Sequence, residues 1–180
     1  MNNGQEKAII SEVLNGHYNQ YRAIVDRYQI GLIQHLYNMV HDEQSAEDIA
    51  QDAFIRAYDK LYQYNQSYAF STWLYKIADN MALRVMKRTK ITVDFDEVQD
   101  LLADKAPAHG ESLDLSINGR VIRGMVDSLP SNYRRVIMLY YWDEFGYEDI
   151  AAIMERPVGT VRTWLHRAKD QLRKELDGKV

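Results

Sequence analysis

The stretch from Tyr147 to Leu172, YEDIAAIMERPVGTVRTWLHRAKDQL, leaves the chain few ways to fold. Ile150, Ala151, Ile153 and Met154 give a first short helix one apolar face, and Arg156-Pro157-Val158-Gly159 interrupts it with two residue types that break helices. A second helix follows, in which Val161, Trp164, Leu165, Ala168 and Leu172 recur at spacings of three and four, so one face packs inward. The opposite face carries Arg162, Thr163, His166 and Arg167. Long cations and short hydroxyls on the exposed side of a second helix are the residue types that reach base edges and phosphates in a major groove. The pattern predicts a helix-turn-helix that binds DNA. Its alternative is an αα-hairpin with a merely solvated charged face, which many surface helices have.

A formal net charge of −4 argues against nucleic acid only until the charge is mapped. Residues 1–90 are neutral, residues 91–119 carry −6, and residues 120–180 carry +2. Lys76, Arg84, Lys87, Arg88 and Lys90 face only Asp79 between residues 72 and 90, and a second basic cluster runs from Arg156 to Lys174. Two basic helices therefore flank an acidic connector, and local patches rather than net charge set the potential a phosphate meets. With 46% hydrophobic and 27% charged residues the chain is an ordinary globular one. It has no cysteine, which removes disulfides and thiolate metal sites and fits a reducing compartment. The first residues, MNNGQEKAII, lack the basic segment and long apolar run of a secretory signal, so a cytoplasmic location is expected.

In chain order, residues 5–16 predict a short amphipathic helix. Tyr18–Val40 predicts a longer one with Tyr21, Ile24, Val25, Tyr28, Leu32 and Leu36 inward. His41-Asp42-Glu43-Gln44 reads as a polar break, and Ser45 with Asp48 three residues on reads as an N-cap and capping-box variant. The next helix has the cleanest period in the chain, Ala46, Ile49, Ala50, Ala53, Phe54, Ala57, Tyr58 and Leu61 marking one face. Gln63–Ala69 reads as a polar, aromatic loop. Ser71 reads as the cap of a further helix with Leu74, Ile77, Ala78, Met81, Ala82 and Val85 inside. The expected fold is all-α: a four-helix domain over 1–90, an acidic linker over 91–119 with a local helical turn near Val98–Leu102, and a second helical domain over 120–180 that contains the helix-turn-helix.

Three constellations bear on chemistry. Glu47, Asp48, Gln51 and Asp52 face away from the core of the Ser45 helix, with Asp48 and Asp52 one turn apart. No histidine stands at ligand spacing beside them, so a solvated or protein-docking face is expected rather than a metal site. His41-Asp42 resembles the dipeptide of metal-dependent phosphohydrolases, but no partner His and Asp can be picked out, and His41 reads as a loop residue. Lys76, Asn80, Arg84 and Lys87, at spacings of four, four and three, form a polar stripe in which Asn can read a base edge and the cations can hold phosphates. A solvated face is the competing reading.

The order SAEDIAQDAFIRAYDKL, FSTWLYKIADNMALRVMKR, an acidic linker, then LPSNYRRVIMLYYWDEFGYEDIAAIMERPVGTVRTWLHRAKDQL closely resembles the extracytoplasmic-function class of bacterial sigma factors, from about Tyr21 to Leu176. The resemblance implies a non-enzymatic protein without cofactor that binds core RNA polymerase and promoter DNA. It further implies control by an anti-sigma factor and no membrane insertion of the chain's own. It implies that Asp48, Gln51 and Asp52 dock on the polymerase clamp. It implies that Trp73, Lys76, Asn80, Arg84, Lys87 and Arg88 serve the −10 element, with the Gln63–Ala69 loop holding an unstacked base, and that Gly159, Thr160, Arg162, Thr163, His166 and Arg167 serve the −35 element. Trp73 is equally well placed for a core role. Many members carry an acid where Arg84 stands, and the His166 position is often another residue type, so the promoter sequence is not inherited with the resemblance. The rival classes are a stand-alone helix-turn-helix regulator, which leaves the Asn80 stripe unused, and a helical metal hydrolase.

Overall fold

A computed structural model describes residues 3–93 and 117–177 of the chain. Every regular element among them is helical: α1 (Asn3–Leu14), α2 (Tyr21–Val40), α3 (Glu43–Asp59), α4 (Phe70–Val93), α5 (Ile117–Ser128), α6 (Ser131–Tyr141), α7 (Tyr147–Met154) and α8 (Val158–Asp177), with single 3-10 turns at Tyr18–Gln20 and Leu61–Gln63. The fold is all-α, as the periodicity predicts. The first three and last three residues of the expected 91–119 connector are helical. The rest of it, including the turn expected near Val98–Leu102, lies outside the described residues.

Helix α3 shows why the apolar stripe fixes the bundle. Ala46, Ile49, Ala50, Ala53, Phe54 and Ala57 are all buried, and four of those six are alanines, whose small side chains let α2 and α4 approach closely. Tyr58 is only half-buried, its ring packed edge-on against Tyr21 at 5.1 Å. Helix α1 is tied down by a polar contact as well as by Ile10 and Val13: the Tyr28 hydroxyl donates to the buried Glu6 carboxylate, and Arg27 lies 3.7 Å from it.

Two expected caps are corrected. Helix α3 starts at Glu43, and its cap is Asp42, whose carboxylate accepts the Ser45 backbone N–H at 2.7 Å; Ser45 lies inside the first turn. The break before it shrinks to His41 and Asp42, and His41 takes a left-handed conformation (φ 57°) and closes α2 through its N–H to the Tyr37 carbonyl at 2.8 Å. Helix α4 starts at Phe70, so Ser71 also lies within its helix rather than capping it. Phe70 is fully buried against Tyr64 and Trp73, and burial of that ring sets where the helix begins.

In the C-terminal half, Pro130 precedes α6, and Glu155 ends α7 in a left-handed conformation (φ 54°). The turn is Glu155-Arg156-Pro157. Val158 and Gly159 belong to the first turn of α8, not to the interruption expected from the sequence. Val161, Leu165 and Ala168 are buried, and Trp164 and Leu172 half-buried, as the spacing predicts. The two halves do not stand apart: α4 packs along α7, and the buried side chains of both form one continuous core.

Candidate nucleic-acid interface

The acidic face of α3 is presented as the sequence suggests. Asp48, Gln51 and Asp52 are exposed beside Glu47, and Gln44 Nε2 donates to Asp48 Oδ1 at 3.1 Å. Ile55, one turn beyond Gln51 and Asp52, is 60% exposed. The sequence reading missed this residue, although its place at i+4 from Gln51 and i+7 from Asp48 marks it as part of the same face. A rigid helix thus offers carboxylates and one unpartnered aliphatic side chain together.

The stripe on α4 becomes a cleft. Trp73, Lys76, Asn80 and Arg84 line a concavity of about 290 Å³ together with Ile77, Met81, Gln63 and two cations from α3, Arg56 and Lys60. Four of the expected −10 residues are therefore brought together, whereas Lys87 and Arg88 continue along the exposed side of α4 outside it. Arg56 and Lys60 were missed because they look like the solvated end of the α3 stripe until α4 is laid beside them. Trp73 is placed for either of its two readings. It is half-buried, packs on Tyr64 at 5.3 Å and Phe70 at 5.6 Å, and still lines the cleft. The adjoining loop is self-supported, with Tyr64 Oη donating to the Tyr68 carbonyl at 2.5 Å and Asn65 Oδ1 accepting the Ser67 N–H at 2.9 Å. Cations around an aromatic platform suit a single strand, because every base has a π-face and every link a phosphate.

The exposed face of α8 is convex and carries Gly159, Arg162, Thr163, His166 and Arg167, with Thr160 half-buried at its start. Its side chains are partly pre-positioned. The Arg162 guanidinium lies over the Tyr147 ring at 5.3 Å from the centroid and 3.9 Å from Glu148. Tyr147 in turn stacks on Tyr140 at 5.4 Å, and Lys169 sits over Tyr140 and Tyr141. A hydrogen bond with Tyr141 pushes the Lys169 pKa up, so that cation stays charged. Thr163 Oγ1 donates to the Gly159 carbonyl at 2.9 Å, and His166 Nδ1 lies 3.0 Å from Asp170. Gly159 has nothing within 4 Å of where a Cβ would stand, so its backbone is open to a phosphate.

Two contacts link these surfaces to other parts of the fold. Lys76 Nζ lies 2.9 Å from Glu155, and this hydrogen-bonded ammonium holds the Glu155 carboxyl below its ordinary range. His41 closes α2 with Nε2 3.6 Å from Asp127 and 3.4 Å from Arg134. That places it in an ionic contact between the halves rather than in an open loop.

Known proteins share this sequence pattern and this fold. The family profile described as Sigma-70 region 2 matches residues 24–91, and that described as Sigma-70, region 4 matches residues 119–172. The chain is 36% identical to the ECF RNA polymerase sigma factor SigW of Bacillus subtilis, over 94% of this chain and 96% of that protein. It is 32% identical to the ECF RNA polymerase sigma-E factor of Escherichia coli K12, over 93% and 92% respectively. Among solved structures, CnrH in complex with the cytosolic domain of CnrY superposes with a TM-score of 0.71 at 19% identity, covering 96% of this chain and 97% of that one. The sigma factor RpoE in complex with the anti-sigma factor NepR from Bartonella quintana gives 0.69 at 24% identity, covering 87% and 96%.

Proposed function

The chain belongs to the extracytoplasmic-function class of sigma-70 factors, alternative sigma factors that direct transcription initiation, and we propose how its surfaces divide that work. Residues 1–90 form the domain that docks on core RNA polymerase and handles the −10 element, residues 120–180 the domain that reads the −35 element, and residues 91–119 the connector. Asp48, Gln51 and Asp52, with Ile55 among them, dock on the polymerase clamp. The α3/α4 cleft takes the melted −10 strand, Asn80 reading a base and Arg56, Lys60, Lys76 and Arg84 holding phosphates. Lys87 and Arg88 extend that track. On α8, Arg162, Thr163, His166 and Arg167 read the −35 duplex, while Gly159 and Thr160 approach its backbone. The chain contributes binding and no catalysis, and it works in the cytoplasm; among the described residues no helix is long and apolar enough to cross a membrane. An anti-sigma factor is its expected regulator, the kind of partner with which the Bartonella protein was solved.

The connector is part of the machine on this reading. Asp94, Asp96, Glu97, Asp100, Asp104, Glu111 and Asp114 against Lys105 make a polyanion suited to a basic nucleic-acid channel of the polymerase. A channel keeps its charges close, whereas screening beyond about 8 Å weakens masking across open solvent.

The observation that carries the proposal is the presence, in one chain, of an aromatic cationic cleft fit for a single strand and a cationic helix face fit for a duplex. A stand-alone helix-turn-helix regulator uses only the second. Run-off transcription with core polymerase across a genomic library tests the assignment. The expected result is a set of start sites sharing −10 and −35 elements and dependent on core enzyme. Tight, specific duplex binding by the chain alone with no polymerase-dependent initiation would overturn it.

A further inference from the structure

Four ionisable side chains that neither DNA-facing surface uses are gathered where the two halves of the chain meet. His35 of α2 is buried, with Nδ1 2.7 Å from Asp143 Oδ2 in the turn after α6 and Nε2 3.7 Å from Asp79 Oδ1 on α4. Asp79 is completely buried and is paired with Arg135 of α6. Around this centre, Thr72 Oγ1 lies 2.7 Å from Asp149, Lys76 reaches Glu155, and the Tyr75 ring meets Phe145 edge-on at 4.9 Å. Each of these contacts joins α2 or α4 to the segment running from α6 to the end of α7.

The geometry selects one charge state. With Nδ1 donating to Asp143, Nε2 presents either a lone pair or an N–H toward Asp79, and only the N–H is attractive beside a carboxylate. The closed arrangement therefore holds an imidazolium. Two carboxylates then meet one guanidinium and one imidazolium, and the buried charges balance. Remove the proton and two carboxylates share one guanidinium, leaving a net negative charge in the cluster, which is costly away from water. The ionisable groups facing His35 are Asp79 and Tyr75 of α4 and Asp143 of the α6–α7 turn, with Arg135 of α6 behind Asp79. Burial pushes the Tyr75 hydroxyl far above its ordinary range, so it stays neutral. For His35 burial is the largest single influence and lowers its pKa, but Asp143 and then Asp79 together outweigh it and raise it from 6.5 to about 9.

We propose that this cluster is a proton-dependent latch that holds the two helical halves closed, and that the closed chain is unable to engage both promoter elements at once. The functional half of this statement rests on the assignment of the −10 and −35 surfaces above. Lys76, in the −10 cleft, is held to Glu155, which stands seven residues before Arg162 on the recognition helix. Seven residues span at most about 25 Å even when fully extended. Elements centred about 25 base pairs apart are roughly 85 Å apart at about 3.4 Å per pair. The halves must separate for both to be bound, and residues 94–116, between α4 and α5, reach up to roughly 80 Å at about 3.3–3.6 Å each, to which the helical halves add their own breadth.

The pH dependence has a definite sign. His35 binds its proton more tightly closed than open, so the stabilisation of the closed form is complete below the ordinary histidine value of 6.5 and is lost as pH rises through about 9. Within that window the closed-to-open ratio falls by about tenfold per pH unit, the slope for one linked proton.

The chain has no native cysteine, so dyes on Gln29→Cys and Arg173→Cys, both exposed positions, report the separation of the halves by single-molecule energy transfer. The full chain is measured without polymerase or DNA from pH 6 to 9.5. A high-transfer population that gives way to a low-transfer one by about tenfold per pH unit is the expected result. His35→Gln should flatten the response, and Asp143→Asn should do so without disturbing the core of the first half. A transfer efficiency that is low at pH 6 or unchanged from pH 6.5 to 9, or a wild-type response retained in Asp143→Asn, overturns the latch. Because no promoter enters the measurement, its failure leaves the assignment of function standing, and a failed transcription assay leaves the latch open to test.

Discussion

The cleft between α3 and α4 and the outer face of α8 are built from the same residue types, yet they handle them in opposite ways. In the cleft, Trp73 is half-buried on Tyr64 and Phe70, and cations from two helices converge over a concavity of about 290 Å³. On α8, Arg162, Thr163, His166 and Arg167 stand exposed on one convex helix face, and the aromatic rings lie beneath a cation rather than inside a pocket. A concave aromatic site accepts a base that has left its stack; a convex helix enters a groove whose bases remain paired. Charge alone does not tell single-strand from duplex binding here. On the proposed assignment, curvature and the position of the aromatic rings do.

The largest effect should come from a change that silences both surfaces together. Asp48→Lys with Asp52→Lys puts cations on the exposed face of α3 proposed to dock on the polymerase, and reversed charge across an interface costs several kcal/mol, roughly a hundredfold or more in affinity. Co-purification with core polymerase should be lost while the helical circular dichroism is unchanged. Undiminished co-purification would remove α3 from the polymerase interface.

Next in size is a change confined to the cleft. Trp73→Ala removes a stacking platform worth about 1–3 kcal/mol per base, so strand opening at −10, read by permanganate reactivity, should fall while −35 duplex contacts persist. Since Trp73 also packs on Phe70, a thermal melt accompanies it, and Asn80→Ala supplies the version that spares the core. That variant should change −10 preference and leave −35 preference fixed. A shift in both would mean that the two surfaces are not separate readers.

The convex face should lose specificity more than binding. Arg162→Ala should cost about 1–3 kcal/mol and relax one or two −35 positions in a randomised-promoter selection. Lys87→Ala, on the exposed run of α4 beyond the cleft, should weaken all promoters alike. The smallest expected effect is the most discriminating. Tyr147→Leu removes the ring beneath Arg162, a contact worth about 0.5–1 kcal/mol at an exposed site, and should relax the same −35 positions as Arg162→Ala but less strongly. Relaxation at other positions would show that the tyrosine does not aim that arginine.

Whatever repeats along a single helix is legible in the residues alone. The stripe from Ala46 to Ala57 and the Val161, Leu165, Ala168 series are buried as their spacing requires, because a helix brings i, i+3 and i+4 to one face whatever packs on it. The exposed faces followed as complements, so Asp48, Gln51, Asp52 and the α8 cations were placed without knowledge of their neighbours. Helix starts were less legible. Asp42 and Ser45 are both good capping residues three positions apart, and the choice fell to Asp42 when its carboxylate took the Ser45 N–H. What crosses between helices was settled by packing. It added Arg56 and Lys60 to the stripe on α4 and turned that stripe into a cleft. It also brought His35 to Asp143, 108 residues away, with Asp79 and Arg135 beside them. Periodicity says which face of a helix is inside but not which other face it meets, and buried charges acquire their state only from the partners that packing supplies.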